Sequence, residues 1–324
     1  MSRVRDAWAA WVALWDRREA PTALAMVRIL VGACIVADML GTLARGLVTP
    51  LYSTAGYANV YAGWGRVLGD DPGPVLFAIV LGAAIAMTLG AATRVACVVF
   101  AVASAQLAYI APDADRGIDM IVRIVALILA LSLSHARWSV DATVMRALGR
   151  PMPAEVPAWP RYLLLLQLAW IYLSGGMNKS AAEWGPLGGF RALENIVTDP
   201  HIARLPAGWI APITPLARIA TAATMLFELG APVYLLAYGL VERGGRFVRV
   251  AMWTRRVWIA LGVSFHVGIA ITLRLGMFPY AMLALYPVLF RADEIAALVG
   301  RIGRVVRGQR RNGDRPAKRA SSPS

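Results

Sequence analysis

Residues 22–44 read TALAMVRILVGACIVADMLGTLA, and this stretch decides the fold. About 20 apolar residues in helical conformation cross a hydrocarbon core of roughly 30 Å. The run is too long for the apolar core of a secretory signal. Comparable runs recur along the chain, at roughly 73–92, 95–111, 118–134, 160–177, 214–240, 257–273 and 276–291. The last two are short and joined by Arg274–Gly276, so they read either as two spans or as a hairpin that only partly crosses. The expected fold is all-α: a polytopic helical membrane protein with about eight transmembrane helices.

Composition agrees. The chain has 324 residues, of which 58% are hydrophobic, and a mean hydropathy of +0.58. Soluble domains sit nearer 45–50% apolar. The formal net charge is +14. In a soluble protein that excess would suggest nucleic acid, but no nucleic-acid-reading motif accompanies it. The basic residues concentrate in loops and tails, which points to topology and to anionic lipid instead. Cys34 and Cys97 both fall inside apolar runs and read as small packing residues.

Basic residues also set the orientation. Arg3, Arg5, Arg17 and Arg18 precede the first span. Arg137, Arg146, Arg150 and Arg161 follow the fourth, and Arg243, Arg246, Arg249, Arg255 and Arg256 follow the sixth. The tail beyond Arg291 is basic as well. Eight spans put all of these on one side, so both termini are expected in the cytoplasm, in the inner (plasma) membrane of a cell. Residues 1–21, with Trp8, Trp11 and Trp15 on one helical face, read as an amphipathic helix lying in the interface. Residues 22–291 form the transmembrane domain. Residues 292–324 form a basic tail, expected to be largely disordered at its end, QRRNGDRPAKRASSPS.

Ionisable groups inside a span are costly and tend to be paired or functional. Arg28 near the start of the first span reads as a snorkelling side chain. Asp38 reads as an ion-pair partner for Arg123. Glu228, in MLFELGAPVYLL, is protonated, paired or facing a cavity. Lys179 follows YLSGG at the end of the fifth span; it is either an interface anchor or a desolvated base. His266 is either a hydrogen-bonded packing residue or a participant in chemistry. His135 and His201 lie in connections. The three histidines lack metal-ligand spacing, so no metal is expected.

Five stretches carry a family likeness. They are FHVGIAITLRLGMFPYAML from Phe265, YLSGGMNKSAAEW from Tyr172, WSVD from Trp138 and, more weakly, VRILVG from Val27 and ATRVACVVF from Ala92. With these in order over roughly residues 20–290, the chain resembles the membrane domain of vitamin K-dependent gamma-glutamyl carboxylase. It equally resembles the bacterial relatives of that enzyme, the horizontally transferred transmembrane (HTTM) domain proteins. The resemblance implies a reduced quinone of vitamin K type as ligand. It implies Lys179 as the base that deprotonates the quinol and His266 as a supporting catalytic residue. Asp119, Trp184, Glu228 and Arg274 are the expected binding residues around them. Three departures stand out. Arg116-Gly117-Ile118-Asp119 replaces an Asn-His element, Asn178-Lys179 replaces paired lysines, and the stretch after the eighth span is too short for a lumenal substrate domain. Gamma-carboxylation of a propeptide-tagged protein is therefore not expected. Two functions remain open from the residues: a quinol-dependent membrane enzyme, or a non-catalytic module in maturation, export or immunity for a secreted peptide, as in sporulation-delaying systems. A transporter is disfavoured, because no inverted repeat is visible.

Overall fold

The computed structural model describes residues 2–56 and 63–313. Helix α1 (Ser2–Trp15) leads through a two-residue strand, β1 (Arg18–Glu19), into α2 (Thr22–Ala44) and the short α3 (Val48–Tyr52). An antiparallel hairpin of long helices follows, α4 (Pro72–Leu89) and α5 (Thr93–Ile110), then α6 (Gly117–Leu131) and the short α7 (Val140–Ala147). Strand β2 (Val156–Pro157) pairs antiparallel with β1 and precedes α8 (Trp159–Met177). The second half comprises α9 (Ala192–Thr198), α10 (Thr214–Leu229), α11 (Ala231–Arg243), α12 (Val248–Thr272), α13 (Phe278–Ala284) and α14 (Ala292–Gly313). The architecture is all-α, and a helix lies in each predicted span. Of the end expected to be disordered, residues 309–324, the first five continue α14 as helix, and residues 314–324 lie outside the described residues.

Helices α2, α4 and α5 are each long and apolar enough to cross a membrane, and at most half of each apolar window is buried. The other half presents Leu30, Leu40, Ile85, Val98 and Val102 outward. Such continuous apolar exposure suits lipid, not water. The sixth predicted span is a broken one: α10 and α11 meet at a 54° bend. Gly230 and Pro232 mark the break, where proline cannot continue the hydrogen-bond ladder. Pro232 leaves the Glu228 carbonyl without its helical donor, and at the same break the Phe227 carbonyl accepts a hydrogen bond from Trp258 Nε1 at 2.8 Å. This is how a lipid-embedded helix tolerates a break.

The eighth predicted span is short as a helix, ending in a 3-10 turn over Tyr286–Leu289. It nevertheless returns across the bundle. At one end Leu273 bridges Ala203. At the other, the Leu289 carbonyl accepts from Arg255 Nη2. Arg255 and Leu273 are separated along α12 by about 27 Å of helical rise, so the segment after Leu273 covers that same depth.

One end of the bundle gathers the segments the basic pattern grouped; we call it the basic face. There Glu19 pairs with Arg161 (2.6 Å), Arg255 with Glu294 (2.9 Å), and Glu242 with both Arg17 and Arg291. Trp15 packs edge-on against Tyr162, whereas Trp8 and Trp11 stay exposed. The main core fills the space among α2, α4, α5, α6 and α8 with Leu24, Val31, Leu76, Met87, Leu129 and Leu168, all nearly inaccessible.

Arg28 does not snorkel. Its side chain is fully buried on the basic face, where Nη1 donates to the carbonyls of Met87 (2.8 Å) and Thr88 (2.9 Å) and Nη2 donates to that of Trp138 (2.6 Å). These first two are carbonyls left unsatisfied at the C-terminal end of α4. Gly90 closes this end with φ +70°, and a Cβ there would collide with the Arg28 guanidinium. Glycine alone meets both requirements. Gly32 likewise lets α2 approach Thr88 of α4 closely.

Candidate functional site

Helix α8 begins on the basic face at Arg161 and ends on the opposite one. Lys179 lies just beyond its C-terminus, about 27 Å of helical rise from Arg161. Lys179 Nζ donates to Glu228 Oε1 (2.8 Å), lies 2.6 Å from Oε2, and donates to the Gly175 carbonyl (3.2 Å). The half-buried Trp184 ring covers the ammonium at 5.1 Å. Of the three readings of Glu228, the paired one is therefore the geometry observed. The small residues of YLSGG explain how: a Cβ on Gly175 would stand 3.4 Å from the Glu228 carboxylate, and one on Gly176 would press on Leu229. Gly176 above all lets α10 come close enough for its carboxylate to reach the lysine.

His266, on α12, is fully buried. Its Nε2 shares a hydrogen bond with the Tyr172 hydroxyl at 2.7 Å, and that hydroxyl lies 3.1 Å from the Tyr286 hydroxyl. Its Nδ1 has no partner. Phe265, Phe278 and Tyr286 surround the imidazole. Tyr172 also packs edge-on against Phe227 (4.5 Å) and Trp258 (5.5 Å). Tyr172, Tyr286, Phe227 and Trp258 are participants the sequence reading did not single out. A signal was present for Tyr172. It precedes Lys179 by seven residues, the spacing of two helical turns.

Between α9, α10 and α12 lies a cavity of about 350 Å³. Its walls are apolar, with Val197, Trp209, Ile213, Ala220, Phe227 and Phe265 among them. Phe227 and Phe265 line this space, and each directly precedes a residue of a polar site, Glu228 and His266; the Phe265 ring also packs on the His266 imidazole at 5.0 Å.

The predicted site residues do not all converge. Lys179, Glu228 and Trp184 meet. His266 forms a separate layer beneath them through Tyr172. Asp119 belongs elsewhere: with Arg116 it caps α6, its carboxylate accepting from the Arg116 backbone N–H (2.8 Å) and Nε (2.9 Å). Arg116 also bonds Asp38 (2.7 Å), while Arg123 pairs with Asp115 (2.7 Å). The predicted Asp38–Arg123 pair is therefore replaced by two others, because the connection before α6 supplies nearer partners to each. Arg274 has an exposed side chain, and its backbone N–H donates to the Ile202 carbonyl at 2.7 Å. Among the described residues, no group of His, Cys, Asp and Glu is placed to hold a metal ion.

These features define a multi-helix membrane protein with two buried polar layers beside an apolar cavity. The HTTM domain family model matches residues 16–293, and the chain belongs to that family. No curated protein and no solved structure matches it.

Proposed function

We propose that this HTTM protein binds a reduced quinone at the junction of the apolar cavity and the Lys179–Glu228 pair, and that the pair takes a proton from the quinol. The observation that carries the reading is a half-buried lysine–carboxylate pair whose carboxylate, Glu228, directly follows Phe227, a wall residue of an apolar space of about 350 Å³. Isoprenoid quinols have a large apolar body and a small polar edge, the same division as the cavity and its neighbours. The cavity walls would hold the apolar body, and Trp184 would shield the polar edge from water. Lys179 and Glu228 together hold a transferable proton. When their shared proton rests on Glu228 the amine is neutral, and Nζ accepts the quinol hydroxyl proton, which leaves an ammonium flanked by the Glu228 carboxylic acid and the quinolate. His266, one layer beneath, orients the site through Tyr172 and Tyr286. On this reading the basic face lies in the cytoplasm, and the Lys179 end opens toward the outer side of the inner membrane.

The test is binding of menaquinol or vitamin K hydroquinone to purified protein in detergent, followed by quenching of tryptophan fluorescence. Saturable binding that Lys179→Ala weakens at least tenfold is the expected result. No binding, or binding unchanged by Lys179→Ala, overturns the reading and leaves the non-catalytic module for a secreted peptide.

A further inference from the structure

A second cavity, of about 350 Å³, opens on the basic face between α12 and α14. Two helical faces line it with the same spacing. Helix α12 contributes Met252, Arg255, Arg256 and Ile259, and α14 contributes Glu294, Ala297, Leu298 and Arg301, with Phe290 between them. Each set is one stripe of a helix. The cavity therefore has a cationic part and an apolar part in contact.

Its charge is unbalanced. Glu294 is the sole acid among the lining residues, and it is spent on Arg255, bonding Nη1 (3.2 Å) and Nη2 (2.9 Å). Arg255 is 2% exposed, yet its Nε has no partner. Arg256 and Arg301 lie exposed at the mouth without an acid among the lining groups. An adjoining open hollow shares Met252 and adds Arg246 and Arg249. A buried donor left unbonded, next to two unneutralised arginines, calls for an anion. Met252, Ile259, Phe290 and Leu298 call for hydrocarbon beside that anion.

We infer that this cavity is a binding site for one anionic glycerophospholipid, with its phosphate against Arg255, Arg256 and Arg301 and an acyl chain along Ile259, Phe290 and Leu298. Basic pockets beside membrane helices capture acidic headgroups in this manner. The lipid would bridge α12 and α14, and so hold α14 to the bundle beyond what the Arg255–Glu294 pair does. This is a fixed site, distinct from diffuse attraction of the basic tail to the bilayer surface.

The experiment uses the full chain in neutral detergent, with lipid retention read by native mass spectrometry. Phosphatidylglycerol, phosphatidylcholine and inorganic phosphate are supplied in separate arms. Phosphatidylglycerol is expected to be retained over phosphatidylcholine. The double variant Arg256→Gln/Arg301→Gln is expected to lose that preference roughly ten- to thirty-fold, two surface arginines' worth of attraction. Arg255 is left intact because its contacts hold the fold. Leu298→Trp fills the cavity without changing charge, and should abolish retention too. Equal retention of the two lipids by the native protein overturns the proposal. So does retention unchanged in Leu298→Trp, which would place the lipid on the general basic surface. Phosphate that displaces the lipid stoichiometrically at millimolar concentration would overturn the acyl-chain part, showing a simple anion site.

Discussion

Two regions carry the five stretches by which this chain resembles its family, and they treat buried charge in opposite ways. Three of the stretches meet on the basic face. Arg28 of VRILVG bonds the Trp138 carbonyl that opens WSVD. Asp141, which closes WSVD, accepts from the backbone N–H groups of Ala92 (2.8 Å) and Thr93 (2.9 Å) and from the Thr93 hydroxyl (2.8 Å), at the start of ATRVACVVF. Ser139 caps α7 by accepting from the Ala142 N–H at 2.8 Å, and the Asp141 N–H donates to the Gly90 carbonyl. The result is a knot tying α2, the α4–α5 turn and α7. The other two stretches form the Lys179 and His266 layers, where charged and polar side chains pair mainly with one another. A family signature thus divides into a part whose side chains satisfy backbone groups at helix ends and a part whose side chains pair with one another. The proposed ligand chemistry falls in the second part.

The strongest way to break this division is to attack the knot. Arg28→Met removes a buried guanidinium and strands the carbonyls of Met87, Thr88 and Trp138. A loss of about 3–5 kcal/mol is expected, read as a large drop in the thermal unfolding midpoint in detergent. An unchanged midpoint would mean that the knot is dispensable, and the distinction between the two regions would fail.

A smaller effect is expected at Asp141, whose partial exposure screens its interactions. Burial pushes its carboxyl up, but the hydrogen bonds from Thr93 and Ala92 outweigh this and hold it below the ordinary value of 3.8. Its contribution is therefore present above that value and lost as pH falls through the lower folded value. His135, nearby, is pushed below its ordinary 6.5 by burial. The unfolded chain binds that proton more readily, so stability also falls as pH drops below about 6.5. The two signs agree: acid loosens the knot. Asp141→Asn is expected to cost about 1–2 kcal/mol at pH 7 and to flatten the part of the acid dependence below pH 4. A variant as acid-sensitive there as the native protein would remove Asp141 from the account.

Much of this fold was legible in the sequence because lipid imposes a length and a composition on each span, independent of partners. The break at Gly230 and Pro232 was visible only as residues, since a bend depends on what receives the Phe227 carbonyl, and Trp258 lies on another helix. Partner choice was the least legible feature. Arg28 read as snorkelling because its acceptors lie on α4 and in the α6–α7 connection. Asp38 and Arg123 read as mutual partners because nothing in the spacing shows that the connection before α6 folds back to bring Arg116 to Asp38 and Asp115 to Arg123. Lys179 and Glu228 were each flagged as costly, but their meeting required the close approach of α8 and α10 that Gly175 and Gly176 permit. Asp119 was grouped with them by position along the chain and by depth, two coordinates that do not fix which side of a bundle a residue faces.

The smallest net stability effect is expected for removing the whole pair where the proposed chemistry is. Lys179→Met alone leaves the buried Glu228 carboxylate without its partner, and a loss of about 1–3 kcal/mol follows. The double variant Lys179→Met/Glu228→Leu removes both charges and leaves no buried polar side chain unpaired. Replacing a whole buried pair with groups of similar volume is commonly neutral or stabilising, so the midpoint should return to within about 1 kcal/mol of the native value. Quinol binding should nevertheless stay lost. A double variant as unstable as Arg28→Met would make Lys179–Glu228 a second structural knot, held for packing alone. A stable double variant that no longer binds would assign the pair to ligand and not to fold, because the one property lost would be the one that does not hold the helices together.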